Sequence, residues 1–339
     1  MALSGIVSSF KGALPSTVKL KLGSIKRKAS ILACFYYDAR TYMRWSIGRF
    51  DTRVANRQNM RALITLRSHG IEKGLSLPVP RARFGEIRIG ELIDYMRIYI
   101  KAHGEDVTID NGVAVLKAYR DFNIKHNAPD YPHKAAIDEM IAARPVSIPA
   151  GTLKLTRAMV LKATQDVSPD FFQRRHSTRH FSDQPVTNEE IRFAAQAAIR
   201  APAVCNRQFG KILVTRQRHE IKHWLDIQGG AKGFDDQPRA VAAIAMDIRN
   251  FWDVSERYQP WIDGGLFAMS FILGLHARGL GTCCLNWSKK PEDDARMLAA
   301  LKLPPYYRII MLIAIGHLPE KYEVGASYRV PVDELLQLN

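Results

Sequence analysis

Three arginines and two histidines fall within the nine residues QRRHSTRHF, Gln173 to Phe181, beside the pair Ser177–Thr178, with no matching run of acids nearby. Guanidinium groups match phosphate oxygens bidentately, and hydroxyls add neutral donors, so one reading is a pocket for a phosphate. A solvated charged face is the other, and these nine residues leave the two open.

Three further stretches bear on the choice. APAVCNRQFG, Ala201 to Gly210, delivers Asn206, Arg207 and Gln208 between a helical pattern and an apolar run. Asn and Gln carry both donors and acceptors, which suits the edge of a heterocycle such as a flavin or pyrimidine ring; a polar loop closing a helix–strand turn has the same composition. ARGLGTCCLNW, Ala277 to Trp287, puts Gly279 and Gly281 where the backbone can approach a flat ligand with successive free amides, or where a helix-ending glycine is followed by a turn. Late in the chain, Tyr328-Arg329-Val330-Pro331 adds an arginine that reaches a phosphate only if the chain folds back over the first stretch.

Other chemistries find less. The chain has no Walker-type loop, no Gly-x-Gly-x-x-Gly after a strand and no nucleophile elbow. His69 and Glu72, three apart in SHGIEKGLS, form one ligand-type pair without a second set, and no metal is expected. Cys34, Cys205, Cys283 and Cys284 form no Cys-x-x-Cys, so neither a disulfide framework nor a zinc site is indicated and a reducing compartment fits.

Periodicity indicates the elements that must hold these residues. TNEEIRFAAQAAIRAP reads as a helix opened by a Thr187–Glu190 capping box and stopped by Pro202. KILVTR is a short strand, RHEIKHWLDIQ a helix, and RAVAAIAMDI and RIIMLIAIGHL are strands buried on both faces. WIDGGLFAMSFILGLHARG is a helix apolar almost all round, which needs cover from the rest of the fold or from a second subunit. Upstream, ELIDYMRIYIKAHG, ending at Gly104, and GVAVLKAYRDFNIKH read as helices. NAPDYPHK and ARPVSIPAG read as a connector. The chain thus divides into a basic arm over 1–37, a helical extension over 38–126, a linker or arm over 127–164, and a domain of alternating helices and strands over 165–339.

A chain of 339 residues with 47% hydrophobic and 24% charged composition is an ordinary folded protein. Its longest apolar run, Trp261 to Leu275, is broken by Asp263 and two glycines, so no membrane span is expected. The net charge of +16 is concentrated early: residues 1–150 carry 24 Lys+Arg against 13 Asp+Glu. No acid precedes Asp38, whereas Lys11, Lys19, Lys21, Lys26, Arg27 and Lys28 are basic. Such an arm suits an anionic membrane surface or nucleic acid, an organelle transit peptide, or a solvated terminus. A nucleic-acid partner is not expected.

Taken together and in this order, the motifs resemble the nitroreductase-like FMN flavoprotein family. The family's Arg-x-Ser-x-Arg/Lys run followed by Phe stands here as Arg175-His176-Ser177-Thr178-Arg179, then Phe181. Its Ala-Pro-Ser-x-x-Asn-x-Gln turn stands as Ala201 to Gln208, with Ala203 in place of the Ser. The Gly-Leu-Gly turn after a long apolar helix and the late arginine before a proline also match, over about residues 165–339. The resemblance implies an α+β fold, a nitroreductase-like α-β-α sandwich carrying a mostly helical, basic N-terminal extension. It implies that Arg175, Arg179 and Arg329 hold the FMN phosphate, and that His176 and Ser177 contact the phosphate or ribityl chain. Asn206 and Gln208 would address the isoalloxazine edge, and backbone amides at Cys284 and Leu285 the ring nitrogen that takes up hydride, although CCLNW departs from the commoner Pro-x-Glu-Gly pattern. No catalytic side chain is indicated.

The expected protein is an FMN-dependent oxidoreductase that takes hydride from NADH or NADPH and passes it to a small-molecule substrate. It is expected to be a homodimer with FMN between subunits, cytoplasmic, with contact at a membrane surface through the arm. A reading from another class is a non-catalytic member of the fold that docks on a membrane or an assembly complex. Extended relatives with an IEKGLS segment are similar to proteins associated with bacterial surface-polysaccharide assembly.

Overall fold

The computed structural model describes residues 15–47, 56–146, 148–164, 167–327 and 329–339. Lys11, Tyr328 and the expected domain start at 165 lie outside them.

The N-terminal half is helical: α1 Ser16–Trp45, α2 Arg57–Leu75, α3 Glu86–His103, α4 Val107–Lys125 and α5 Lys134–Ala143. The sequence supplies the ends. Asn56 accepts from the amide of Asn59 to open α2, Asp106 accepts from that of Thr108 to open α4, and α3 stops at Gly104. Leu63, Ile64, Leu92, Met96, Tyr99, Leu116 and Tyr119 bury together between α2, α3 and α4. Tyr131, Ile137 and Met140 join the same core, so the helical packing runs past residue 126, where a connector was expected. Pro129 and Pro132 turn the chain back onto this core as α5 instead of releasing it. The chain then continues through α6 Arg157–Thr164, which buries nothing, and α7 Pro169–Gln173.

The C-terminal half alternates as the apolar pattern requires: α8 Asn188–Ala198, β1 Gly210–Thr215, α9 Arg218–Gln228, β2 Ala240–Asp247, α10 Gln259–His276, β3 Leu280–Asn286, α11 Pro291–Ala300, β4 Tyr307–His317 and the short α12 Val332–Leu335. Its four strands form one antiparallel sheet in the order β1-β2-β4-β3. On one face Ala194, Ala198, Phe271 and Leu275 of α8 and α10 pack on Ile244, Ile313 and Ile315. On the other, Trp224, Leu225, Met297 and Leu298 of α9 and α11 pack on Val241, Ala243 and Leu312. This is the α-β-α sandwich. β2 is buried along its whole length, as its continuous apolar run predicts. Helices α8 and α10 touch closely, because a Cβ on Gly274 would lie 2.7 Å from the Ala194 Cα.

The stretch LGTCCLN differs from its reading as a glycine turn. It is β3, paired along β4 from Leu280↔His317 to Asn286↔Met311. Only Gly279, at φ 74°, makes the helix-ending turn. α10 is not covered all round either: Ile262, Leu266 and Met269, at i, i+4 and i+7, form an exposed apolar stripe.

Residues 247–256 are one of the segments through which the two halves meet, packing against the start of α2 and the end of α1. Gln58 Nε2 donates to Asn250 Oδ1 (2.9 Å), Asn59 Nδ2 to the Arg249 carbonyl (2.5 Å), and the Ile47 amide to the Phe251 carbonyl (2.8 Å).

Candidate functional site

The arginine run lies along the outer edge of β3. The Thr178 amide donates to the Thr282 carbonyl at 2.8 Å, and Ser177 bridges Thr282 in parallel register. Gly281 permits this approach, since a Cβ there would stand 2.6 Å from Leu318 Cδ2 and 3.1 Å from the Thr178 side chain. That glycine therefore serves the close packing of the run against β3. Phe181 is buried and anchors the end of the run.

Arg174 pairs with Asp170 (3.3 Å), but among the described residues neither Arg175 nor Arg179 has a carboxylate partner. Arg175 and His176 are half-buried and Arg179 is exposed. Burial raises both thiols of the neighbouring pair, and the two arginines oppose that rise separately: Arg175 acts on Cys284 and Arg179 on Cys283. The Arg179 guanidinium lies 5.9 Å from the Phe234 ring centroid, in the core shared with Cys283. The two arginines thus lie beside neighbouring thiols of β3, Arg179 near Cys283 and Arg175 near Cys284.

The bond to the Thr282 carbonyl also fixes which amides face outward. N–H and C=O of one residue point to the same side of a strand and alternate along it. Cys284, two residues after Thr282, therefore turns its amide to the open edge. Leu285 turns its amide into the ladder opposite Leu312, and its side chain is in the core. Of the two amides expected to meet a ligand, that of Cys284 faces the open edge and that of Leu285 faces the ladder.

The second candidate group lies on the turn before β1. Asn206 and Gln208 are exposed, and Gln208 Nε2 donates to Asn206 Oδ1 at 3.0 Å. Cys205, Asn206 and Gln208 have φ of 50°, 53° and 52°, left-handed values that non-glycine residues hold only when their surroundings enforce them. Two buried charges do so. Asp263, in α10, accepts from the Val204 amide (2.9 Å) and from Gln259 Nε2 (2.7 Å). Arg207 has no exposed side-chain surface; it donates to the Val204 and Asn250 carbonyls (3.1 and 2.5 Å) and pairs with Glu256 at 2.6 Å. Gln208 also lines a cavity of about 260 Å³ between the helical half and β1, with Arg61, Thr108, Lys211 and Tyr307. Sequence reasoning assigned no role to Asp263, Asn250 or Glu256. The available signal was a lone carboxylate in an otherwise apolar helix.

Within one chain the two candidate groups stand apart. The arginine run flanks β3 and the Asn206–Gln208 turn leads into β1, at opposite edges of the sheet. Three strand steps of roughly 4.8 Å separate those edges by about 14 Å. Arg329 follows β4 in the exposed C-terminal segment, where its Nη1 donates to the Ser327 carbonyl (2.6 Å). Glu72 Oε1 accepts from the Gly151 amide (3.1 Å), and no group of three or more His, Cys, Asp or Glu side chains placed to hold a metal occurs among the described residues.

A nitroreductase family model matches this half of the chain, over residues 172–245 and 228–317. A Streptococcus pyogenes protein provisionally named an NAD(P)H nitroreductase is 25% identical over 198 residues, 49% of this chain and 96% of that relative. Among solved structures, an FMN-dependent nitroreductase from Clostridium difficile is 21% identical with a TM-score of 0.42, covering 50% of this chain and 98% of that one. A provisionally named nitroreductase from Desulfovibrio desulfuricans, solved in complex with FMN, is 24% identical with a TM-score of 0.42, covering 51% and 97%. The C-terminal half carries a nitroreductase-family domain, and the family is one of oxidoreductases. The match begins at residue 172, so the helical N-terminal half lies outside it.

Proposed function

We propose that the C-terminal domain is an FMN-dependent oxidoreductase that accepts hydride from NADH or NADPH and passes it to a small-molecule substrate. The observation that carries the reading is the β3 edge. Two arginines without carboxylate partners among the described residues and the Ser177 hydroxyl flank an outward-facing amide at Cys284. That donor set fits a phosphorylated heterocycle: Arg175 with His176 and Ser177 would hold the phosphate and ribityl end, joined by Arg329. Arg179, beside Cys283, would also counter its negative charge. Bound FMN supplies the two-electron redox chemistry, and the protein supplies position, an amide and positive charge. The names of the relatives support the cofactor and the nicotinamide donor.

A homodimer completes the arrangement. With Asn206 and Gln208 at the far edge of the sheet, the turn that addresses the ring would come from a second copy. The exposed stripe Ile262, Leu266 and Met269 gives that copy an apolar face to cover.

The test is the absorption spectrum of the purified protein before and after NADH or NADPH under anaerobic conditions. Blue and near-ultraviolet bands that bleach support the reading. A colourless protein that takes up no added FMN overturns it.

A further inference from the structure

We propose that α1 seats this protein on an anionic lipid surface. α1 is 30 residues long, about 45 Å at 1.5 Å per residue. Only its C-terminal part meets the body: Tyr37 lies under Arg308 (5.0 Å), Tyr42 donates from its hydroxyl to the Asp253 carbonyl (2.5 Å), and Trp45 packs edge-on against Tyr306 (5.3 Å). From Thr17 to Ala33 every described side chain is exposed.

The exposed part is patterned. Val18, Leu22, Ile25, Ala29, Leu32 and Tyr36 recur at alternating spacings of four and three, which aligns them on one stripe of the helix. The stripe faces away from the side that carries Tyr37, Thr41 and Trp45. Leu22, Ile25, Leu32 and Tyr36 are 51%, 64%, 70% and 65% exposed. Lys21 and Lys28 border the stripe on one flank and Lys26 on the other, and no acid occurs between Ser16 and Tyr37.

Three occupants compete for such a stripe. The protein's own body is excluded by the direction the stripe faces. A second copy of α1 brings its flanking positions together, which sets lysine against lysine. A specific helical partner is fixed in register by charges of both signs or by a polar residue in the seam, and this stripe has neither. An anionic bilayer satisfies both features at once: the apolar side chains enter the headgroup boundary, while lysines on both flanks extend to lipid phosphates. This inference is independent of the flavin reading, because no residue of α1 belongs to that site.

The experiment is flotation of the full chain with vesicles of phosphatidylcholine alone or mixed with phosphatidylglycerol. The protein is expected to float with the mixed vesicles only, and to be released as salt rises well above the physiological ~0.15 M. Leu22→Asp with Ile25→Asp should abolish flotation, and reversing Lys21, Lys26 and Lys28 to Glu should lower partitioning by at least about 100-fold. Circular dichroism and thermal midpoint should be unchanged in both variants, since the altered side chains are exposed, so a loss of flotation cannot be a loss of folding. Equal flotation with neutral vesicles, no flotation with either, or unaltered flotation of the double Asp variant overturns the proposal. Sedimentation showing α1-dependent self-association that the double Asp variant removes overturns it in favour of a second copy.

Discussion

At the β1 edge of the sheet Arg207 is enclosed, with two carbonyls and the Glu256 carboxylate around its guanidinium. At the β3 edge Arg175 and Arg179 meet no carboxylate among the described residues. The residue type is the same, and burial and pairing separate the roles. Arg207 is committed to holding the left-handed turn that presents Asn206 and Gln208. Arg175 and Arg179 keep their positive charge available to a ligand. A motif match identifies both sets of arginines as interesting and cannot rank them; the ion pairs can.

The largest effect that would break this comparison is at Arg207. Arg207→Ala leaves Glu256 with an uncompensated, mostly buried charge and should cost about 3–5 kcal/mol in urea denaturation. A cost below about 1 kcal/mol would mean that the enclosure holds nothing. Next is Arg175→Ala. Losing one charged donor to a phosphate should weaken FMN binding by roughly 10–100-fold, read by fluorescence titration, with an unchanged thermal midpoint. If the midpoint fell as it does for Arg207, the two edges would not differ in kind.

Thr187→Ala lies away from both edges and calibrates them. The Thr187 hydroxyl accepts from the Glu190 amide at 3.3 Å, and the Glu190 carboxylate accepts from the Thr187 amide at 2.8 Å. Its loss should cost about 1 kcal/mol with no change in flavin affinity.

The smallest effect sharpens the contrast with the helical half, where an acid is the enclosed partner. Burial pushes the Asp106 carboxyl up, but hydrogen bonds from the Tyr99 hydroxyl, the Thr108 amide and Arg57 outweigh it and hold the group well below its ordinary 3.8. A depressed folded value stabilises the protein above the unfolded value and is lost as pH falls through the folded one. Asp106→Asn should therefore be less stable than wild type at neutral pH, and the gap should narrow progressively as pH falls below the ordinary 3.8 in denaturation curves. A gap that is constant with pH would remove Asp106 from the acid response.

Features carried by neighbouring residues were legible in the sequence. The Thr187–Glu190 capping box, the stop at Gly104 and the continuous apolar runs of β2 and β4 each depend on a few consecutive side chains. Features decided across the sheet were not. LGTCCLN lacks the β-branched density of its neighbours, and pairing with β4 makes it a strand. The outward turn of the Cys284 amide and the inward turn of Leu285 follow from register, which no local pattern specifies. The separation of the arginine run from Asn206 and Gln208 depends on the order β1-β2-β4-β3, in which consecutive motifs fall on opposite edges. The candidate residues were nameable from the sequence, and their grouping in space was not.

A sheet edge with open amides is a template on which another chain can lay a strand. Along β3 that invitation is largely withdrawn. Thr178 already occupies the slot at Thr282, and one step further the open Cys284 amide stands within reach of the Arg175 charge. A strand arriving from a neighbouring molecule would have to displace the first and bury the second. The guanidinium proposed to meet a phosphate thus also guards a strand edge, and a variant that neutralises Arg175 leaves that edge more open.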